Sequence, residues 1–248
     1  MIVYHSDVDL AGFLLQFEHR RDSGERVRLF LAEGDSWFSV GGATTNLLMA
    51  LDDSNTLIVS CARPGDTMRN MADMGNRAFL DLLRPNFGVK WDGVLLSAGG
   101  NDLLGDVGLL IEGGNLSHEG LRIALDGVAL GYRRIVGAVR DHHACRIHAH
   151  TYDYPVSDPW GGWGRLGPWI GNRLLAAGVA PRRHDAIITD IVDALADTID
   201  GIADLTVHDT RGLLTPRPWR RWGWQACWRN EMHPTRAGYA QLAARWRL

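Results

Sequence analysis

The sequence predicts an α/β fold in three layers, α/β/α, with a central parallel sheet of roughly five strands. Short runs rich in Val, Ile and Leu alternate with longer stretches whose apolar residues recur at helical spacing. Several of the short runs stop at polar turns that contain glycine. The 248 residues, 46% hydrophobic and 22% charged, have the composition of a globular protein with an ordered core.

Five short apolar runs predict the strands in chain order. They are VRLFLA at 27–32, TLIVS at 56–60, GVLLS at 93–97, CRIHA at 145–149 and DLTVH at 204–208. The first three end at the turns EGDS, CARPG and AGGND, and the last ends at Asp209. Binding sites of open parallel sheets form where the carboxyl ends of the strands meet the following loops, so the functional residues are expected at these turns.

Apolar periodicity predicts helices over 68–83, 121–139, 186–199 and 235–246. Segment 155–183, where Pro, Gly and Trp concentrate, is too long for a simple connector and is interpreted as an irregular active-site wall or a lid. Residues 1–26 fit either a leading helix or an extra strand. No change in composition marks a boundary, so residues 1–248 are interpreted as one domain.

Charge and composition exclude several classes of function. The formal net charge of −3 gives no cationic field for nucleic acid, and no apolar run is long enough to span a membrane. The N-terminus lacks the pattern of a secretory signal, which predicts a cytoplasmic protein. The three cysteines follow no zinc-site or disulfide spacing, and the sequence carries no signal for an oligomeric state.

Ser36 is the candidate nucleophile, because a serine between a strand and a helix exposes its hydroxyl. Considered alone, Gly-Asp-Ser is more typical of a helix N-cap. Gly65 and Asn101 strengthen the catalytic interpretation, since an amide N–H and a side-chain NH2 at neighbouring strand ends can form an oxyanion hole. His233, just before the last helix, is the candidate base.

Four blocks in this order resemble the SGNH (GDSL-like) hydrolase superfamily. They are Gly34-Asp35-Ser36, Gly65, Gly99-Gly100-Asn101-Asp102 and His233-Pro234 with Gly238-Tyr239. The resemblance implies a flavodoxin-like sheet, Ser36 as nucleophile, Gly65 and Asn101 in the oxyanion hole, and His233 as base. A hydrolase of this kind requires no cofactor.

Asn230 stands where that family commonly has an aspartate that orients the histidine. An amide there cannot stabilise an imidazolium as a carboxylate does. Three alternatives remain: Glu231 takes the role, Asp209 reaches the ring, or Asn230 itself orients His233. Glu231 is favoured, because residues two apart in an extended segment project to the same side.

Other polar residues are given supporting roles. Asp35 is expected to bond the backbone of the nucleophile turn, and Asp102 to brace the Asn101 loop. His148 and His150 alternate along a strand, but no accompanying residues have the spacing of a metal site.

Ten tryptophans are many for this length, and seven concentrate in segments 155–183 and 215–230. They either line a substrate groove or fasten long loops to the core. The sequence therefore predicts a serine hydrolase that cleaves carboxylic esters, a small-acyl esterase or O-deacetylase acting on a small-molecule or glycan ester. The alternative is a weak or inactive protein of the same fold that binds glycans through its Trp-rich loops.

Overall fold

A six-stranded parallel sheet forms the centre of the computed structural model, which describes residues 2–5, 9–39, 45–51, 55–73, 77–158, 169–214 and 224–248. Its strands are β1 (Ile2–His5), β2 (Arg28–Gly34), β3 (Thr56–Ser60), β4 (Gly93–Ser97), β7 (Arg146–His150) and β8 (Leu205–His208). A small antiparallel hairpin adds β5 (Ile111–Glu112) and β6 (Asn115–Leu116). Strands β2, β3 and β4 are rich in apolar residues and are buried on both faces. In β3 all five residues are buried.

The strand order is β1-β3-β2-β4-β7-β8. From β2 the chain first moves to one side of the sheet, to β3, and then returns to the other side, to β4. The crevice between β2 and β4 is therefore the switch point at which ligands bind in doubly wound sheets. The turns that contain Ser36 and Asn101 follow these two strands.

The predicted α/β architecture and its five strands are confirmed, and the leading segment supplies a sixth strand. β1 pairs in parallel with β3, from Ile2 opposite Leu57 to His5 opposite Ser60. A helix follows it, α1 (Leu10–Asp22). Residues 1–26 thus contain both the extra strand and the leading helix that the sequence offered as alternatives.

The remaining helices flank the sheet. They are α2 (Ser36–Ser39), α3 (Leu47–Ala50), α4 (Met68–Met71), α5 (Arg77–Leu83), α6 (Gly100–Leu103), α7 (His118–Arg140), α8 (Ile170–Ala176), α9 (His184–Asp200) and α10 (Arg236–Ala243). Helix α7 contacts α4, α6 and α9, whereas α3 contacts α10.

Two of the predicted segments differ in the structure. The single helix expected over 68–83 is two short helices, α4 and α5. Segment 155–183 was expected to be irregular, but its described part contains α8 and a 3-10 turn, Pro181–Arg183. Helix α8 has apolar residues at helical spacing, since Ile170 and Leu174 are buried one turn apart.

The long helices bury one apolar side. In α7 the buried residues include Leu121, Val128, Tyr132, Ile135 and Val139, and Ser117 caps the first turn by accepting the N–H of Gly120. Within the described part of the chain, none of the helices combines the length and the apolar character that crossing a membrane requires.

Candidate active site

Ser36 begins α2 directly after β2, at a turn whose backbone is held tightly. The Asp35 carboxylate accepts the N–H of Trp37 at 2.9 Å, so Asp35, not Ser36, caps the short helix. Gly34 lies against β4, where an added Cβ would come within 2.9 Å of Ser97. Glycine is therefore required at the first position of the Gly-Asp-Ser motif. Because Asp35 caps the helix, the Ser36 hydroxyl is left available for another partner.

That partner is His233. Its Nε2 lies 2.8 Å from Ser36 Oγ, and its Nδ1 lies 3.0 Å from Asn230 Oδ1. Asn230 Oδ1 also accepts the N–H groups of Met232 at 3.0 Å and His233 at 2.8 Å, which identifies this atom as the oxygen. Because an oxygen faces Nδ1, the ring carries its hydrogen there, and Nε2 is free to accept the hydrogen of Ser36.

His233 is kept neutral by its surroundings. Burial lowers the pKa of its imidazole from 6.5 to about 4, and the positive charge of Arg229 acts in the same direction. Trp169 contributes to this burial, since its ring lies edge to face against the imidazole with centroids 5.5 Å apart. A neutral imidazole with a free Nε2 can accept a proton, as a general base must.

Gly65 and Asn101 line the same pocket as Ser36 and His233. Gly65 has φ +78°, a conformation that favours glycine, in the turn after β3. Asn101 lies in α6, and its Nδ2 donates to the carbonyl of Asp66 at 2.8 Å. Since NH2 has two hydrogens, the second remains for a ligand. Ser36, Gly65 and Asn101 thus meet at the carboxyl ends of neighbouring strands, and the turn before α10 brings His233 to the same pocket.

The pocket has a volume of about 520 Å³. Its lining combines the candidate catalytic groups with apolar and charged side chains. Besides the four residues already named, its lining consists of Pro64, Thr67, Gly105, Asp106, Trp169, Arg173 and Met232. Arg173 and Asp106 form a loose ion pair of 3.7 Å on the lining.

Glu231 does not orient His233, and that expectation is wrong. Its carboxylate accepts backbone N–H groups from Asp158 and from the start of α8 instead. The alternation rule fails because Asn230–His233 is a turn closed on Asn230 Oδ1 and not an extended strand. Asp209 does not reach the ring either, since its described partners are Thr151 and Arg211.

A buried polar network behind Ser36 was missed by sequence reasoning. Tyr152 donates its hydroxyl to Asp35 Oδ2 at 2.5 Å, Ser97 donates to Oδ1 at 3.0 Å, and His150 Nε2 lies 2.9 Å from Ser97 Oγ. Burial raises the pKa of Asp35 to about 6, and it lowers the pKa of His150 to about 4. The signal present in the sequence is HTYD at 150–153, which lies at the end of β7 as GDS lies at the end of β2.

The supporting roles expected of Asp35 and Asp102 match the contacts. Asp102 accepts the N–H of Met68 at 2.8 Å and so braces the Asn101 turn against α4. His148 bonds His208 at 3.0 Å between Nδ1 and Nε2, in the core. Among the described residues, no group of three or more His, Cys, Asp or Glu side chains is arranged to hold a metal ion.

The two tryptophans of these segments whose side chains are described, Trp169 and Trp228, differ in role. Trp169 lines the pocket, whereas Trp228 is buried and packs edge to face on Trp37, as a loop fastened to the core would. The side chains of the other tryptophans in these segments lie outside the described residues. They are Trp160, Trp163, Trp219, Trp222 and Trp224.

The chain is similar to known proteins in its three-dimensional structure. No protein-family model and no curated protein sequence matches the chain. Among solved structures, the acetylxylan esterase Axe2 from Geobacillus stearothermophilus has 16% identity and a TM-score of 0.51, over 89% of this chain and 93% of that one. An extracellular lipase from Streptomyces rimosus has 18% identity and a TM-score of 0.50, over 87% and 96%.

A third solved structure, from Slackia heliotrinireducens, is of a protein proposed to be an SGNH hydrolase. It has 14% identity and a TM-score of 0.50, over 88% of this chain and 96% of the other. At such low identity these likenesses establish the fold.

Proposed function

Because the chain has the fold of the SGNH hydrolases, we propose that it is a serine hydrolase that cleaves carboxylic esters. The observation that carries the proposal is the relay of three side chains in the pocket. Ser36 Oγ lies 2.8 Å from His233 Nε2, and His233 Nδ1 lies 3.0 Å from Asn230 Oδ1. Such contacts activate a serine, because the base is held in the tautomer that accepts its proton.

The first half of the reaction forms an acyl-enzyme. His233 Nε2 takes the hydroxyl proton while Ser36 Oγ bonds to the carbonyl carbon, and the carbonyl oxygen becomes an oxyanion. The backbone N–H groups of Ser36 and Gly65 and the free Asn101 Nδ2 hydrogen are the proposed donors to that oxygen. His233 then returns the proton to the departing alcohol as the ester C–O bond breaks.

The second half repeats these steps with water. His233 takes a proton from water, hydroxide oxygen bonds to the acyl carbon, and the carboxylic acid leaves as Ser36 regains its proton. Every proton moves through His233 Nε2. No cofactor and no metal is needed for this sequence of steps.

Asn230 sets the tautomer of His233 but supplies no negative charge. In serine proteases, changing the orienting acid to an amide lowers kcat by about 10⁴, chiefly because the histidine then takes the wrong tautomer. Here the two backbone N–H bonds to Asn230 Oδ1 fix the amide, so the tautomer is the productive one. We therefore expect measurable turnover, with a kcat lower than that of an enzyme with an acid at this position.

A small acyl group and a sugar or similar alcohol are the substrate parts we propose. The pocket of about 520 Å³ lies in the range of small-molecule sites, and Trp169 offers a flat apolar wall on which a sugar ring can stack. The structural likeness to an acetylxylan esterase supports the same class. An acetylated carbohydrate is the first substrate to test.

The alternative is a glycan-binding protein of this fold with little or no activity. Asn230, in place of an acid, is the observation that favours it. Such a protein would use the same pocket and Trp169 without an activated Ser36.

Labelling with a fluorophosphonate, followed by intact mass, separates the two functions without knowledge of the substrate. We expect one adduct on the wild type and none on Ser36→Ala or His233→Ala. Ser39→Ala is the matched control, because Ser39 lies in the same short helix but bonds the carbonyl of Asp35. It should label like the wild type.

Absence of an adduct on folded wild-type protein, under conditions that label a known esterase, would overturn the hydrolase proposal. Quenching of tryptophan fluorescence by acetylated xylan oligosaccharides would then support the glycan-binding alternative.

A further inference from the structure

Glu231 is a buried carboxylate whose partners are all backbone amides. Oε1 accepts the N–H of Asp158 at 2.8 Å and of Gly171 at 2.8 Å. Oε2 accepts the N–H of Ile170 at 2.9 Å and that of Trp169. Each oxygen thus receives two hydrogen bonds, and only 3% of the residue is exposed.

The four donors come from two parts of the chain, Asp158 and residues 169–171. Asp158 and Trp169 are the described residues on either side of 159–168, and Ile170 and Gly171 begin α8. One carboxylate on the histidine turn therefore holds the backbone on both sides of that segment. The histidine turn also accepts a bond from Val156, whose N–H meets the Glu231 carbonyl at 3.2 Å.

Trp169 connects this arrangement to the proposed catalytic groups. The backbone N–H of Trp169 donates to Glu231, and its indole ring lies edge to face on the imidazole of His233 with centroids 5.5 Å apart. The same ring lines the pocket beside Arg173 and Met232. Any change in the Glu231 bonds is expected to alter how Trp169 covers the imidazole.

We infer that Glu231 is a positioning residue, which fixes Trp169 against His233 and thereby shapes the pocket wall and excludes water from the base. The inference rests on the proposed hydrolase function. Satisfying these four backbone amides does not by itself require a charge, because neutral acceptors can also accept their hydrogen bonds. A carboxylate makes stronger bonds to N–H groups and so holds the wall more rigidly.

The pH dependence of activity reports this role. Burial lowers the pKa of His233 to about 4, so loosening Trp169 should return the pKa toward 6.5. The titratable and charged groups on the segments around the ring are Arg229 and Glu231 on its own turn, Asp106 and Arg173 on the pocket lining, and Asp35, Asp66 and Asp102 next to Ser36, Gly65 and Asn101. Apart from Glu231 itself, none of these is altered in the variants chosen below.

The experiment compares Glu231→Gln and Trp169→Leu in hydrolysis of 4-nitrophenyl acetate. Gln keeps the volume but replaces one acceptor oxygen with a donor that faces two N–H groups. We expect both variants to raise KM about tenfold and to move the acid midpoint of kcat/KM upward by about one pH unit. Above pH 7, kcat should stay within about twofold of the wild type, and the double variant should be no worse than the worse single variant.

Glu112→Gln is the matched control, since Glu112 is an exposed residue of the β5–β6 hairpin. It should leave KM and the pH profile unchanged. If Glu231→Gln lowers the melting temperature but keeps the KM and acid midpoint of the wild type, the inference is overturned. Additive effects in the double variant would overturn it too.

A second measurement separates failure of the inference from failure of the proposed function. Wild-type protein without turnover or labelling would contradict the hydrolase function itself. The imidazole of His233 can then be titrated by NMR in the wild type and in Glu231→Gln. A higher pKa in the variant supports the positioning role, and identical titrations contradict it.

Discussion

Ser36 has polar neighbours on two sides, and the two sides differ in where ionisable acids lie. On the pocket side His233 is oriented by an amide, Asn230. On the buried side the acid Asp35 bonds Tyr152, Ser97 and the backbone of the nucleophile turn. Asp35 thus holds the backbone of the nucleophile turn, whereas a neutral amide contacts the candidate base.

Glu231 and Asp102 follow the same division. Both are carboxylates next to a proposed catalytic residue in sequence or in the same turn, and both accept backbone N–H groups instead of contacting that residue. These contacts show that an acid next to a candidate catalytic residue in the sequence does not necessarily contact that residue in the fold. The backbone turn decides which way its side chain projects.

Placing an acid beside His233 Nδ1 is the change with the largest expected effect. In Asn230→Asp, the oxygen that accepts from Met232 and His233 is retained, and a negative charge is added beside Nδ1. We expect kcat/KM for 4-nitrophenyl acetate to rise about 100-fold, because the carboxylate stabilises the imidazolium that forms. The acid midpoint of the pH profile should also move upward, since the charge raises the pKa of His233.

Asn70→Asp controls for charge alone, since Asn70 is exposed in α4. It should leave kcat/KM within about twofold, the scale of a screened surface charge. A folded Asn230→Asp variant with unchanged or lower activity would show that the amide is the better partner here.

Removing a donor on the buried side should act on stability more than on turnover. Tyr152→Phe deletes the hydroxyl that donates to Asp35, so an ionised buried carboxylate loses a partner. We expect the free energy of unfolding at pH 8 to fall by about 2 kcal/mol. Tyr132→Phe, which removes a bond to the neutral carbonyl of Ala98, should cost about 1 kcal/mol.

Urea unfolding at pH 8 and pH 5 measures both variants. The excess cost of Tyr152→Phe should shrink at pH 5, where Asp35, with its pKa raised to about 6, is protonated. Equal costs for the two tyrosines at pH 8 would mean that Asp35 carries no charge in the folded protein.

Protonation of the buried histidine gives the smallest net effect in the wild type, because Asp35 titrates in the opposite direction over much of the same pH range. The pKa of His150 is lowered from 6.5 to about 4 by burial, so between these values the unfolded chain binds a proton that the folded protein does not. Stability from this residue is therefore present above pH 6.5 and is lost as pH falls toward 4, by about 1.4 kcal/mol per pH unit. Asp35 acts in the opposite direction, since its contribution is lost as pH rises through about 6.

His150→Gln isolates this contribution. Between pH 6 and pH 4.5, the slope of unfolding free energy against pH should decrease by about one proton relative to the wild type. His142→Gln, at an exposed position after α7, should leave the slope unchanged. A wild-type slope in the His150 variant would contradict a neutral buried imidazole.

The parts of the site that could be predicted from sequence are those fixed by strand ends. Ser36, Gly65 and Asn101 follow β2, β3 and β4, and parallel strands bring their carboxyl ends to one edge of the sheet. His233 was predictable because it precedes the last helix in a motif that accompanies the other three. For these residues, the local sequence motif and the strand topology both predict a position at the same edge of the sheet.

The parts that could not be predicted depend on side-chain direction within turns. The preference for Glu231 assumed extended backbone, whereas Asn230 closes a turn by accepting the N–H groups of Met232 and His233. Tyr152 lies in the loop after β7, and its contact with Asp35 spans 117 residues. Sequence spacing carries no information on such a contact. Strand β1 has only four residues, and an apolar run this short does not distinguish a strand from the start of a helix.

The distance along the chain between Ser36 and His233 has a consequence for synthesis. These residues are 197 positions apart, and Trp37 is tied to Met232 by a bond from its indole N–H to the carbonyl. At about 5–20 residues per second, a ribosome adds the histidine turn about 10–40 s after the serine. During that interval β2, β3 and β4 can pair while Ser36 lacks its proposed base, so the proposed activation of Ser36 must wait until the last part of the chain has been made.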